Sequence, residues 1–237
     1  MKPDTICGIK PVAALFARRA EDVQRLFYLP AMREAAGPLC GVLAKARKPY
    51  RMVEAEELEK IAGTPHHSGV VAVARARVPA ILDPTQPPRD KLLLVLDGIG
   101  NPHNLGAIAR SAAFFGVKSL LIGEGIGHAM PSDAAYRTSE GGLEYLDLYR
   151  TRDLPRALML MEPHYRTVAS SLGREALPLA ELPRDRPVAL VLGNEENGVS
   201  EPVLAACRRQ VRIAGSGRVQ SLNVAQAAAV LLHALAP

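Results

Sequence analysis

Four short stretches in the later part of the chain are almost wholly apolar: Leu92–Leu96, Ser119–Ile122, Val188–Leu192 and Val211–Ile213. Strands without polar alternation are covered on both faces, so these predict a parallel sheet between two helix layers. Helical periodicity over Asn104–Phe115 puts Ile108, Ala112 and Phe115 on one face, with Asn104 placed to cap the start and Gly116 to stop the end. Val224–Ala236 predicts a second, Ala-rich helix whose small side chains let another helix approach closely.

The earlier part alternates differently. Lys10–Ala20 reads as a helix with Pro11 in its first turn, and Leu26–Leu29 reads as a strand. Met32–Ala46 reads as a helix interrupted at Gly37-Pro38, then Tyr50–Val53 as a strand. Ala55–Ala62 reads as a helix ended by Gly63, and Gly69–Ala74 as a strand. This order predicts a small α/β sandwich. Pro79, Pro84, Pro87 and Pro88 then deny backbone donors and favour extended conformations. The expected division is a first domain over 1–78, a semi-rigid linker over 79–90 and a second domain over 91–237.

Composition narrows the partners. The net charge is +5 and the pI about 9.3, which favours anionic partners without identifying one. Aromatic residues make up 4% of the chain with no Trp, which argues against an extended base-stacking platform. The apolar runs fall short of a membrane span, and Met1–Lys10 lacks the pattern of a secretory leader. Cys7, Cys40 and Cys207 are far apart and match no metal spacing, so free thiols, no metal and a cytoplasmic location are expected.

The polar, glycine-rich segments directly follow the apolar strands, where ligands bind in open α/β sheets. They are Asp97–Gly106 with Arg110 beyond it, Gly193–Gly198, and Ala214–Asn223. Any one of them reads equally well as a turn, since turns require Gly, Asn and Ser. Three in register, each with an added amide or charge, point to a pocket. No GxGxxG or GKS/GKT loop is present, which counts against ordinary nucleotide folds.

Asn104-x-Gly106 with Arg110, then Gly193-Asn194-Glu195-Glu196-Asn197-Gly198, then Ser221-Leu222-Asn223-Val224 resemble in order and spacing the three motifs of the SpoU/TrmH family of RNA ribose methyltransferases. The resemblance covers roughly residues 91–236. Residues 1–76 resemble the small substrate-binding domain carried by many members, although His67 and Ser68 stand where relatives often have Gln and Gly. The resemblance implies a deep trefoil knot in the second domain and S-adenosylmethionine as cofactor. It also implies structured rRNA or tRNA as substrate and a homodimer that brings Arg110 of one subunit near the cofactor of the other. Gly193, Ile213, Leu222 and Leu192 match the cofactor contacts. Arg110, Asn104, Glu195, Ser221 and Asn223 match the catalytic set.

Within that set, a guanidinium remains protonated at ordinary pH, so Arg110 suits binding a phosphate or a developing alkoxide better than acting as a base. The expected role of Glu195 is to orient Arg110 or Asn104. Asn104 and Asn223 can each cap a helix as well as meet substrate, and Ser221 can cap or contact the ribose. His66 and His67 read as structural, and His103 remains open. Arg18-Arg19, Lys45-Arg47-Lys48 and Arg51 read either as solvated faces or as grips on an RNA backbone. The rival expectation is a weak or inactive RNA-binding protein of the same fold.

Overall fold

A computed structural model describes residues 2–173 and 175–236. In chain order the elements are β1 (Asp4–Cys7), α1 (Ile9–Arg19), β2 (Val23–Tyr28), α2 (Arg33–Lys45), β3 (Tyr50–Met52), α3 (Ala55–Ala62), β4 (Val70–Ala74), β5 (Ala80–Ile81) and β6 (Leu92–Leu96). Next come α4 (Pro102–Phe114), β7 (Ser119–Gly123), α5 (Asp133–Ser139), β8 (Asp147–Thr151), α6 (Leu154–Met161), β9 (Arg166–Ser170) and β10 (Leu177–Pro178). The last four are β11 (Val188–Leu192), α7 (Glu201–Ala206), β12 (Arg209–Arg212) and α8 (Val224–Leu235).

The chain forms two compact units. The first contains the residues up to Val78 together with Pro131–Tyr145. Its sheet runs in the order β1-β4-β2-β3. Helix α3 covers one face, where Cys7, Val71 and Phe27 pack with Leu58. Helices α1 and α2 pack together and against the same strands, with Leu15, Leu26 and Leu43 fully buried. Gly63 ends α3 at φ +66°, a left-handed position that glycine occupies without a side-chain clash.

Three local expectations are corrected in this unit. Helix α2 is continuous from Arg33 to Lys45, with Pro38 inside it rather than breaking it. Pro38 lies in the second turn, where it costs one intrahelical bond. The buried contacts of Ala36, Cys40 and Leu43 hold both sides. Arg19 is not available to grip RNA, because it is buried. Its guanidinium donates to Glu144 Oε2 and Oε1 at 2.8 Å each, and to Asp4 Oδ2 at 3.3 Å. Segment 131–145, expected within the second domain, belongs to this unit because Glu144 and Tyr136 supply partners for that buried charge.

The second unit is an all-parallel sheet in the order β10-β12-β9-β11-β6-β7-β8-β5. Every residue of β6, β7 and β11 is buried, as strands sandwiched between helix layers require. Leu93, Val95, Leu121, Ala189 and Val191 pack under α6 and the α7 segment. Alternate residues such as Leu94 and Leu190 are equally buried, and among the described residues α4 and α8, which pack on each other, remain to cover them. The linker is not wholly free: Ala80–Ile81 pairs with β8, and Leu82 N–H donates to Arg150 O at 3.0 Å. The strand expected at Val211–Ile213 runs instead over Arg209–Arg212, so Ile213 is the first residue beyond it. Among the described residues no helix is long and apolar enough to cross a membrane.

Candidate active site

Strands β6, β11 and β12 are parallel members of one sheet, so the chain leaves all three at the same edge. The three sequence segments meet there through side-chain amides. Asn104 Nδ2 donates to Glu195 Oε1. Asn223 Nδ2 donates to Asn104 Oδ1 at 3.3 Å. Asn104 therefore bridges the second and third segments. Of the two partners expected for Glu195, Asn104 is one it has.

Helix α4 does not start at Asn104. Its cap is Asn101, whose side chain accepts from His103 N–H at 2.8 Å, and Pro102 fills the first helical position. Asn104 lies inside the first turn and its side chain is free of capping duty. At the other end the expectation for Asn223 agrees with the structure, since its Oδ1 accepts from Ala225 N–H at 2.9 Å and caps α8. Ser221 and Leu222 are exposed just before that cap, and every residue from Ala214 to Asn223 is exposed.

The second segment is a tight loop. Asn194 and Gly198 exchange backbone hydrogen bonds at 2.9 Å in both directions. Asn194 Oδ1 also accepts from Glu196 N–H at 2.9 Å and Asn197 N–H at 3.1 Å. This closure forces Gly193: a Cβ there would stand 2.1 Å from Gly198 C and Val199 N. Leu192 is buried, and its carbonyl accepts from Asp97 N–H at 2.9 Å. Ile213 is half-buried at the end of β12.

Arg110 is exposed on α4. It lies six positions beyond Asn104, which turns it roughly 120° around the helix. It shares a face instead with Phe114, four residues on and 82% exposed. The structure thus brings Asn104, Glu195 and Asn223 into one hydrogen-bonded group, while the helix position of Arg110 lies roughly 120° around α4 from that of Asn104.

Sequence reasoning missed Asn194 and His128. Asn194 Nδ2 donates to Gly98 O at 2.9 Å, and Gly98 N–H donates to His128 Nδ1 at 3.3 Å. The two side chains fasten the first loop from either side. Asn194 lay within a recognised motif, but an Asn in a turn carries no sign of its distant partner. His128 sits 30 residues from Gly98 and had no local signal at all. In the first unit His67 Nδ1 accepts from Gly69 N–H at 3.1 Å, a turn-holding role that fits the structural expectation.

Thiol chemistry is disfavoured. Burial, reinforced by the nearby Asp97 charge, pushes Cys207 up to about 12, and burial pushes Cys7 up to about 11. Among the described residues no group of His, Cys, Asp and Glu could hold a metal ion.

Residues 91–233 match the SpoU rRNA methylase family, and residues 5–79 match the RNA 2′-O ribose methyltransferase substrate-binding family. The 23S rRNA (guanosine-2′-O-)-methyltransferase RlmB of Acinetobacter baylyi is 32% identical over 98% of this chain and 96% of its own length. The uncharacterized tRNA/rRNA methyltransferase YfiF of Escherichia coli O157:H7 is 30% identical over 96% of this chain, which spans 66% of that protein. The SpoU methyltransferase AviRb of Streptomyces viridochromogenes, solved in complex with AdoMet, has the same fold: the TM-score is 0.81 at 23% identity, covering 99% of this chain and 89% of that one. The chain belongs to the SpoU rRNA methylase family.

Proposed function

We propose that this protein transfers a methyl group from S-adenosylmethionine to a ribose 2′-hydroxyl of structured rRNA or tRNA, as a knotted homodimer in the cytoplasm. The observation that carries the reading is the hydrogen-bonded group Glu195–Asn104–Asn223, which joins the three loops at one sheet edge. The relatives' names and the solved AviRb complex with AdoMet support the same chemistry.

The residues present suit the cofactor. Gly193 brings backbone to backbone at the β11 end, and the exposed run Ala214–Asn223 offers main-chain groups with Leu222 as an apolar contact. Main-chain groups of Ile213 and Leu222 would hold the adenine, and Gly193 and Leu192 would line the strand end. When bound, the cofactor supplies an electrophilic methyl on a sulfonium.

The chain's own residues supply position and charge. Asn104, held by Glu195 and Asn223, orients the ribose, and Ser221 hydrogen-bonds it from the third loop. Holding the 2′-oxygen in line accounts for much of the rate, since well-oriented reactants gain on the order of 7–11 kcal/mol. Arg110 stabilises the flanking phosphate or the developing alkoxide.

The turn of Arg110 away from Asn104 supports its acting across a dimer, with Arg110 of the partner subunit completing each site. Exposed Phe114 on α4 and Val230 on α8 support that interface. The strand order supports the knot: β11 inserts between β9 and β6, β12 lies beyond β9, and the chain then returns to pack α8 on α4. The three cysteines are free, which supports a reducing compartment.

The test is methyl incorporation into rRNA and tRNA, with Arg110→Ala compared against the unmodified protein. The expected result is incorporation lost in the variant while calorimetric binding of S-adenosylmethionine is kept. Absence of incorporation by the unmodified protein on either RNA, with RNA binding kept, would establish the rival: a binding protein on a methylase fold.

A further inference from the structure

The sheet edge that carries the three loops continues over β6, β7 and β8, where a separate cleft of about 180 Å³ opens. Its floor is formed at the strand ends by Asp97, Gly123 and Thr151. Gly123 lets two side chains pack down onto the strand end: a Cβ there would stand 2.4 Å from His128 Cε1 and 2.8 Å from Leu154 Cδ1. Pro202 and Val203 of α7 add apolar surface to one side of this open cleft.

Three charged residues line the cleft, and of these Glu124 is ion-paired with Arg150 and with Arg152, which leaves the Asp97 carboxylate as the group to consider. Asp97 is only 8% exposed, and its Oδ2 accepts from Ser200 N–H at 2.8 Å. A carboxylate has about four acceptor sites, so this neutral amide uses one and leaves capacity toward the cleft. The volume lies below the roughly 300–1,000 Å³ of pockets that hold drug-sized ligands, which suits one ring system rather than a whole cofactor. Ring and aliphatic surfaces from His128, Leu154 and Pro202, with the Asp97 carboxylate at one side and the Glu124–Arg152 ion pair already satisfied, match a planar heterocycle that presents adjacent N–H donors. Among the RNA bases guanine does so, through N1–H and the 2-amino group. Adenine and cytosine set an acceptor beside their amino group, and uracil flanks its N–H with carbonyls.

The cleft is also tied to the candidate active site. Gly98 follows Asp97, donates to His128 at the cleft and accepts from Asn194 of the second loop. One glycine is therefore hydrogen-bonded to a residue of each.

We propose that this cleft is a guanine pocket, in which an unstacked base of the substrate RNA lies against His128 and Leu154 and is read by Asp97. Enzymes that extrude a nucleotide read it in this manner, by edge hydrogen bonds and by stacking on ring or apolar side chains. Asp97 is here a specificity residue, and the proposal rests on the RNA methyltransferase reading above.

The test uses the full chain, labelled for amide NMR and titrated with guanosine, inosine and adenosine 5′-monophosphates. Shifts are expected at the Gly123, Thr151 and Ser200 amides. Affinity should fall from guanosine to inosine to adenosine, by roughly tenfold or more overall. Asp97→Asn keeps an acceptor for Ser200 N–H and should abolish the preference while calorimetric affinity for S-adenosylmethionine is unchanged. Equal response to all three nucleotides, shifts confined elsewhere, or an Asp97→Asn protein with its preference intact each overturn the proposal. If Asp97→Asn fails to fold, the nucleotide series on the unmodified protein decides alone. A guanine preference without methyl incorporation into RNA would sink the catalytic reading and leave the pocket, and incorporation without the preference would do the reverse.

Discussion

Two residues show how the fold fixes a single position at the proposed site. Asn104 uses its carbonyl for Asn223 and its amide for Glu195, so both ends of one side chain are spent on alignment. Gly193 is fixed by loop closure, because the backbone of Gly198 and Val199 occupies the place of a Cβ. Gly193→Ala should therefore open the Asn194–Gly198 turn, lower the melting temperature and weaken S-adenosylmethionine binding at least about tenfold, since strain in close-packed backbone has nowhere to relax. Gly215→Ala is the control: nothing lies within 4 Å of its added methyl, and it should leave stability within about 0.5 kcal/mol. Thermal melts and calorimetry on both variants check this, and a Gly193→Ala protein that binds cofactor normally would show that the loop tolerates opening.

At the scale of elements, charge rather than apolar pattern decides one assignment. Segment 131–145 joins the first unit because Arg19, 7% exposed, finds Glu144, 2% exposed, across a separation of 125 residues. Asp4 and Tyr136 complete the cluster, with Tyr136 O–H donating to Asp4 Oδ2 at 3.0 Å. Removing one member of a buried ion pair leaves the other unanswered, at a cost of about 3–5 kcal/mol. Arg19→Met should destabilise the first unit by that order in chemical denaturation, and adding Glu144→Gln should recover part of the loss. Additive losses in the double variant would mean the pair is not coupled. No local pattern announced this cluster, since Arg18-Arg19 at a helix end reads as solvated basic surface. The elements that were legible, such as Leu92–Leu96, Val188–Leu192 and Val224–Leu235, owe their form to their own periodicity. Strands β1, β8 and β9 escaped notice because they mix charged or polar residues with apolar ones, as in Arg166–Ser170, and owe their place to neighbours in the sheet. The same distinction holds at the candidate site: motif membership marked Asn104, Glu195 and Asn223, whereas Asp97 and His128 gain meaning only from what the fold sets beside them.

At the scale of the whole molecule, the position of Arg110 makes a statement about assembly. Arg110 starts from a helix position roughly 120° around from Asn104, whereas the motif resemblance expects both in one chemistry. The two-fold dimer proposed above would resolve this, because each copy of the α4 surface bearing Arg110 and the exposed Phe114 would then meet the other subunit. The consequence can be read from mixed dimers. An Arg110→Ala subunit retains its own Glu195 but needs a guanidinium from its partner, and a Glu195→Ala subunit can supply one. Each variant alone should be inactive. After unfolding and refolding together at equal amounts, half the dimers are mixed and each holds one complete site, so about a quarter of the unmodified activity should return. Restored activity of that size requires the two residues to act across the interface. A mixture as inactive as its components would place Arg110 and Glu195 in the same subunit's site, and the face shared with Phe114 would then need another explanation.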